Sequence, residues 1–394
     1  MATVTVRAGR VQPVWAGHPW VFQQAIDRID GAPGPGDAVE VRDPRGNFLG
    51  RGFYSPASSI AVRVMTRDPD ETLDAGSLIR RVEQAAAWRR RIGLPNDDTT
   101  GYRLIHAEGD GLPGLIADVY GDTVVMQLLT VGMRRRRDVL VGAVARVTEA
   151  RSVLEAPGGA AQRREGIEAT AATLRGPTPD LLRFRERGFA FEVGAEDAQK
   201  TGFYFDQRAN RGRVETLADG AEVLDLYCYL GAFALAAARG GARSVEAYDK
   251  SAVAVARGAG LVEAPGLADR VALARADVRR LLRSLREEKR AFDVVVLDPP
   301  KLAPTVRHLR RARGAYRKLN ADALRLVRPG GILASCSCSA ALRPDELVRL
   351  IALAARDAGR EATLFEVGEQ GLDHPVPAAF PEGRYLKCAF TRVQ

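Results

Sequence analysis

From about Gly188 onward the chain repeats one pattern: a short apolar run, a turn, then a stretch with apolar residues at helical spacing. The strand-like runs are EVLDLY, SVEAYD, VALARAD, FDVVVLD, GGILASCS, ATLFEV and RYLKCAF. Between them stand GAFALAAARG, SAVAVARGAGL, VRRLLRSLREE, a basic segment after DPPK, and PDELVRLIALAARDA. This alternation predicts an α/β fold with a doubly wound, mostly parallel sheet, in which ligands bind at the carboxyl edge of the strands. Asp225, Asp249, Asp277 and Asp298 each stand at or just past the end of a successive run, so the fold would gather all four at that edge.

A dinucleotide at such an edge asks for G-x-G-x-x-G after the first strand. The loop here is DLYCYLGAF, with Gly231 and the small Ala232 but no glycine-rich phosphate cradle. S-adenosylmethionine carries no phosphate and asks for other contacts: an acid and close backbone for its amino-acid end, an acid for the ribose diol, and a polar acceptor for the adenine amine. Asp225, Asp249 and Asp277 match those needs in order, because an ionised carboxylate can accept from both ribose hydroxyls. Tyr227 and Gly231 in the first loop, Lys250 after the second strand and Asp298 complete the expected cofactor contacts. The competing reading of any single aspartate is a cap on the following helix.

The fourth run ends in VVVLDPPKL. An acid or amide followed by two prolines is a motif of exocyclic-amine methylation, where an aromatic residue after the prolines stacks on the base. This chain has Lys301 there. Carbon 5 of a pyrimidine, by contrast, becomes nucleophilic only after a thiolate adds at carbon 6, which is covalent catalysis by cysteine. The next run ends in SCSCS, beside the strand of Asp298. The two-residue period of a strand puts Cys336 and Cys338 on one side; Cys338 is nearer the open edge, and Cys336 lies deeper, where a cysteine is usually a small core hydrophobe. The alternative is that both thiols are core.

The pair is not a zinc site, because no second close pair of Cys or His ligands exists. Four cysteines, unevenly placed, are also too few for a disulfide framework and agree with a reducing compartment. The first twenty residues lack a basic region followed by an unbroken apolar stretch, and no segment has the apolar length of a membrane span, so a cytoplasmic protein without a membrane partner is expected. Lys and Arg outnumber Asp and Glu by 58 to 49, a net charge of +9, which favours a polyanionic partner.

At 394 residues the chain suits two or three domains. Residues 1–70 read as a small β-barrel-like domain with strands TVTVRAG, GDAVEVRD, GNFLGRGFYS and SSIAVRVMTR. Residues 71–186 read as an α+β middle domain: a helix at LDAGSLIRRVEQAAAWRRRIGL, strands hinged at the YGD of GLIADVYGDTVVMQLL, a helix in RRRRDVLVGAVARV, and loops at GGAAQRREG and LRGPTPD. Residues 187–394 are the α/β domain.

Taken with GHPWVF, GFYSPAS, YRLIHAEGDGLPGLIADVYGD, KTGFYFDQRANR, VLDLYCYLGAFALAAARGG, LDPPK, GGILASCSCS and DHPVPAAFPEGRYLK, the chain resembles the bacterial 23S ribosomal RNA cytosine-C5 methyltransferases that carry an N-terminal PUA domain. The resemblance covers nearly the whole sequence. It implies a PUA domain, a Rossmann-like class I methyltransferase domain, S-adenosylmethionine as cofactor, large-subunit rRNA as partner, and 5-methylcytidine as product. It also implies Cys338 as the nucleophile, cofactor contacts at Asp225, Asp249 and Asp277, and an active-site role for Asp298. Relatives often carry Gly-Gly where this chain has Leu230, Gly231 and Ala232.

Expected RNA contacts are the Asp298-Pro299-Pro300 turn and Lys301, then Lys200, Tyr204 and Arg208 of KTGFYFDQRANR, a segment that with Gln207 and Arg211 could close over S-adenosylmethionine or simply start a helix capped by Asp206. Arg310, Arg311 and Arg313 follow on the basic helix, with Arg307, Arg317 and Lys318, and Arg134 to Arg137 are a further basic run. His18, Trp20 and Phe22 read as packing. The rivals are an amine methyltransferase of guanine or adenine with structural cysteines, and an RNA-binding assembly factor with a vestigial cofactor pocket. The oligomeric state stays open between monomer and homodimer.

Overall fold

A computed structural model describes residues 1–168, 170–195, 202–262, 266–303 and 305–394. They form two compact units, Met1–Phe205 with Leu372–Gly383, and Asp206–Gly371 with Arg384–Gln394.

In the first unit a six-stranded sheet runs in the order Trp20–Phe22, Ile60–Thr66, Phe48–Tyr54, Ala38–Arg42, Ala2–Val6, Ile26–Asp30. Alternation explains its core: Val4 and Val6, Val39 and Val41, and Val62 and Val64 are buried from neighbouring strands. A five-stranded sheet follows, ordered Ala172–Arg175, Ser152–Glu155, Thr123–Leu128, Leu115–Tyr120, Gly101–His106, with helices Ala75–Arg91 and Arg137–Thr148. Asp74 caps the first of these helices, accepting from Ser77 N at 2.8 Å. The hairpin Leu181–Glu186 with Phe189–Gly194 spans position 187, where the onset of strand–helix alternation suggested a division, and the unit continues to Phe205.

The structure corrects several local expectations. Trp20–Phe22 and Ile26–Asp30 are strands that the sequence did not suggest, Ala160–Arg164 inside GGAAQRREG is a short helix, and Ala172–Arg175 carries the first residues of LRGPTPD into a strand. Each arginine of the run Arg134 to Arg137 has a partner. Arg134 pairs with buried Glu155 and Arg135 with Asp37; Arg136 stacks 3.6 Å from the Phe53 ring centroid, and Arg137 pairs with Asp138. YRLIHAEGD and DHPV meet in a buried ionic network. Arg103 holds Asp118 through Nε at 2.7 Å and Nη2 at 2.8 Å, Arg89 pairs with Asp110, and Asp373 accepts from Arg103 N at 3.0 Å. Trp20 packs 4.6 Å from Phe380, centroid to centroid, as packing predicts for that position.

The second unit holds the seven-stranded sheet. Its strands are β1 Glu222–Leu226, β2 Ser244–Asp249, β3 Val271–Arg275, β4 Phe292–Leu297, β5 Val327–Ser337, β6 Ala362–Gly368 and β7 Lys387–Val393, in the order β3-β2-β1-β4-β5-β7-β6. β3 through β5 are parallel, while β7 runs antiparallel to both β5 and β6. The helices are α1 Arg208–Leu217, α2 Ala232–Arg239, α3 Ala252–Val262, α4 Val278–Glu287, α5 Leu309–Leu324 and α6 Pro344–Ala358. Central parallel strands are covered on both faces and so read as unbroken apolar runs: Val294, Val295, Val296 and Leu297 are all buried. From α4, Leu282 and Leu285 join Leu224, Leu226 and Val295 in the core, each leucine stabilising by roughly 1.5–3 kcal/mol. Among the described residues no helix is long and apolar enough to cross a membrane.

Candidate active site

Every strand that carries a predicted acid delivers it to the same edge. Asp225 lies within β1, one residue before its end; Asp249 closes β2, Asp277 follows β3, and Asp298 follows β4. β1 turns into α2 through a loop whose backbone is unusual, with Tyr227 at φ 65°, Tyr229 at φ 52° and Gly231 at φ 76°. Positive φ on two tyrosines stores strain of the kind that clusters at ligand sites. At Gly231 it is the positive φ that favours glycine, since the only close neighbour of a Cβ there, Leu273 Cδ2 at 2.9 Å, is a side-chain tip that can shift. Asp249 fixes this loop by accepting from Tyr229 N at 3.1 Å and from Ser251 N at 2.8 Å. Lys250 is exposed, and its carbonyl accepts from Arg275 Nε at 3.1 Å.

Asp225 is the most telling group. It is 1 % exposed, its Oδ2 accepts from Ala234 N at 3.1 Å, and its Oδ1 has no hydrogen-bond partner among the described residues. Burial, then the Asp298 carboxylate, push its pKa up to about 8. A buried carboxylate oxygen left unsatisfied beside a strained loop suits a cationic ligand group, and the amino group of S-adenosylmethionine is one. Asp249 and the exposed Asp277 stand on the two following strand ends, where ribose and adenine would lie. Asp277 also caps α4, accepting from Arg280 N at 3.1 Å, so the capping reading holds for that residue.

On the other side of β1, partly buried Asp298 accepts from Gln207 Nε2 at 2.9 Å, and Gln207 Oε1 in turn accepts from Asn210 Nδ2 at 2.6 Å. Burial and the nearby Asp206 carboxylate raise the Asp298 pKa to about 7. Asp206 does not cap α1: the cap position is Gln207, without a side-chain cap bond, and Asp206 accepts from Tyr385 Oη at 2.7 Å. Pro299 is buried, Pro300 and Lys301 are exposed, and Arg208 is partly buried. Tyr204 is exposed in the first unit, and Lys200 lies outside the described residues.

The two cysteines of SCSCS have different surroundings. Cys336 is fully buried in β5, in register with Cys388 of β7, and their Sγ atoms lie 2.9 Å apart as free thiols. Burial and Cys388 hold the Cys336 thiol protonated far above the ordinary range. Cys338 stands one residue beyond the end of β5 and is partly exposed. Its pKa rises to about 11, from burial first and the Asp298 and Asp206 carboxylates next, with Lys301 acting against them. The flanking serines hold its turn. Tyr316 Oη meets Ser337 Oγ at 2.7 Å and Ser339 Oγ at 3.2 Å, and Ser339 Oγ accepts from Ala303 N at 3.1 Å. That last bond stitches the cysteine turn to the loop that follows Asp298-Pro299-Pro300.

The basic helix is less free than its sequence suggested. Arg313 pairs with Glu346, Arg317 with Asp357, and Lys318 with Asp322, whereas Arg310 and Arg311 are exposed. Helix α4 carries exposed Arg279, Arg280, Arg283 and Arg286, a basic face visible in VRRLLRSLREE and not singled out from sequence. Asn210, Tyr316, Ser337 and Ser339 were likewise not placed in the site by sequence.

Residues 4–67 match the PUA-like domain family, and residues 103–376 match the S-adenosylmethionine-dependent methyltransferase family. The protein called ribosomal RNA large subunit methyltransferase I from Shewanella denitrificans is 40% identical over 393 residues, covering 99% of each chain. The protein of the same name from Cronobacter sakazakii is 38% identical over 381 residues, covering 96% of each. Among solved structures, a candidate SAM-dependent methyltransferase from Streptococcus mutans superposes with a TM-score of 0.83 at 22% identity, over 100% of both chains. A candidate methyltransferase complexed with SAH gives a TM-score of 0.84 at 22% identity, again over 100% of both chains.

Proposed function

Because the chain belongs to the family of S-adenosylmethionine-dependent methyltransferases, with a PUA-like domain at its N-terminus, we propose that it forms 5-methylcytidine in large-subunit (23S) ribosomal RNA through a transient thioether between Cys338 and carbon 6 of the base. The observation that carries this reading is the contrast between the two thiols: Cys336 is sealed against Cys388, while Cys338 is partly exposed on a turn bonded to the loop after Asp298. The name of the 38–40% identical relatives supports large-subunit rRNA as the substrate.

The bound cofactor supplies an electrophilic methyl group. Asp225 holds its amino group, Asp249 and Asp277 its ribose and adenine, and Tyr227 and Gly231 shape the loop around it. Asp298, with a pKa near 7, is partly protonated at neutral pH. Its carboxyl can then donate to the ring nitrogen of cytosine and draw electron density from carbon 6 as the Cys338 thiolate adds. Pro299 and Pro300 stiffen the turn that presents that carboxyl, and Lys301 sets positive charge at the rim. Incubation with large-subunit rRNA and isotopically labelled S-adenosylmethionine, followed by digestion and mass analysis, should yield labelled 5-methylcytidine. Labelled N2-methylguanosine or N6-methyladenosine would replace this reading with amine methylation, and no product despite cofactor binding would favour an assembly factor.

Asp249→Ala should weaken S-adenosylmethionine binding by about 1.5–3 kcal/mol for each charge-assisted bond removed, with the fold retained; unchanged affinity in calorimetry would refute its place at the ribose. For RNA, Arg310→Gln with Arg311→Gln should raise KM and reduce the slope of log KM against log salt by about one for each phosphate no longer neutralised. Cofactor affinity should stay as it was. Arg313, bound to Glu346, should contribute less than either, and an unaltered salt slope in the double variant would remove α5 from the RNA surface.

A further inference from the structure

Lys387 is fully buried in β7, directly opposite Ser337 of β5. Lysine is rarely so buried without a charged partner. Its Nζ donates to the main-chain carbonyls of Ser339, at 2.5 Å, and Tyr385, at 3.0 Å. Among the described residues no carboxylate lies within 4.0 Å of it. Two carbonyl dipoles do not neutralise a desolvated ammonium, and the turn that supplies one of them also carries the Cys338 thiol, one residue before Ser339. We infer that Lys387 is a positioning residue whose buried ammonium is the fixed counter-charge of the Cys338 thiolate, an inference that rests on Cys338 being the nucleophile.

The charges around the pair favour this assignment. Cys338 faces Asp298 and Asp206, both of which oppose a thiolate, and Lys301, which favours one but is exposed and therefore screened. Tyr316 reaches the same turn through Ser337 and Ser339. Lys387 feels Lys301 against its charge, and Cys338 and Glu346 in its favour; burial is the largest influence and lowers its pKa to about 8. Coupling between two titrating groups is reciprocal, so the same interaction favours the Cys338 thiolate, where it is smaller than the effects of Asp298, Asp206 and Lys301. The balance of the step is simple. The thiol proton leaves to water and the sulfur pair forms the bond to carbon 6, displacing the ring pair towards carbon 5. Once the methyl is in place and the carbon 5 proton is lost, the carbon–sulfur bond breaks and the thiolate returns beside the same ammonium. Lys387 makes and breaks no covalent bond.

The test uses the full chain without RNA. Alkylation of Cys338 by iodoacetamide, read by peptide mass across a pH series, reports its thiolate fraction. Lys387→Met should move the titration midpoint up by about one pH unit or more and slow alkylation near neutral pH about tenfold, while Lys387→Arg should keep most of the wild-type profile. A folded Lys387→Met with the wild-type midpoint would overturn the inference. Should that variant fail to fold, the reciprocal measurement decides. In Cys338→Ser the Lys387 ammonium, followed by NMR of labelled lysine side chains, should titrate at lower pH than in wild type; identical midpoints would refute the pairing. Neither readout depends on methyl transfer, so an active Cys338→Ala enzyme would remove the nucleophile reading while leaving these outcomes separately legible.

Discussion

Cys338→Ala is expected to lose roughly 10⁴- to 10⁶-fold in turnover, the scale on which a covalent nucleophile is missed, while binding S-adenosylmethionine as wild type does. The side chain acts only in the covalent step: it stands one residue beyond β5, on the turn bonded to the loop after Asp298. Cys336→Ala should keep activity and lose about 1 kcal/mol of stability, because it removes a buried sulfur packed against Cys388. RNA carrying 5-fluorocytidine separates the two. Fluorine at carbon 5 blocks the proton loss that precedes thiolate release, so wild type and Cys336→Ala should accumulate a denaturation-resistant protein–RNA adduct and Cys338→Ala should not. An adduct that persists in Cys338→Ala and vanishes in Cys336→Ala would exchange the roles of the two thiols. Methylation at wild-type rate by the double alanine variant would dismiss covalent catalysis.

The edge was legible because its signals are local. A parallel strand buried on both faces is an apolar run, and an aspartate that ends one is visible as the residue where the run stops, as in VVVLD. The unequal depth of Cys336 and Cys338 followed from position along a single strand. What escaped were features made by pairing between distant segments. Arg313 and Arg317 look like free charges on a basic helix, and only the packing of α5 on α6 gives them Glu346 and Asp357. Lys387 sits in RYLKCAF, where nothing local says that the lysine is buried along with Leu386 and Cys388. Trp20–Phe22 is too short for a period-two signal, and Ala160–Arg164 is flanked by glycines that read as loop. The Gln207 to Asp298 bond likewise joins the start of α1 to the end of β4, and sequence spacing carries no trace of it.

Asp225→Asn should weaken cofactor binding and at the same time stabilise the free protein, two opposite effects from one buried oxygen. In the folded chain the Asp225 pKa is raised from 3.8 to about 8, by burial first and the Asp298 carboxylate second. Between those two pH values the native state holds a proton that the unfolded chain has released, so this group makes stability fall as pH rises from about 4 towards 8. Asparagine removes the titration while its carbonyl oxygen can still accept from Ala234 N. Denaturant titrations should therefore show the variant gaining on wild type across that window, by up to a few kcal/mol, on the order of 1.4 kcal/mol per pH unit at most. Binding should move the other way. The cofactor's amino group brings positive charge to the unpartnered Oδ1 and favours the ionised carboxylate, so wild type should release protons on binding and bind more tightly as pH rises from 6 to 8. Calorimetry in buffers of different ionisation enthalpy reads that release directly. In the variant the release should shrink and affinity should fall about 10- to 100-fold, the loss of one charge-assisted bond. Equal affinity in Asp225→Asn, with the same proton release as wild type, would mean that the cofactor's amino group sits elsewhere.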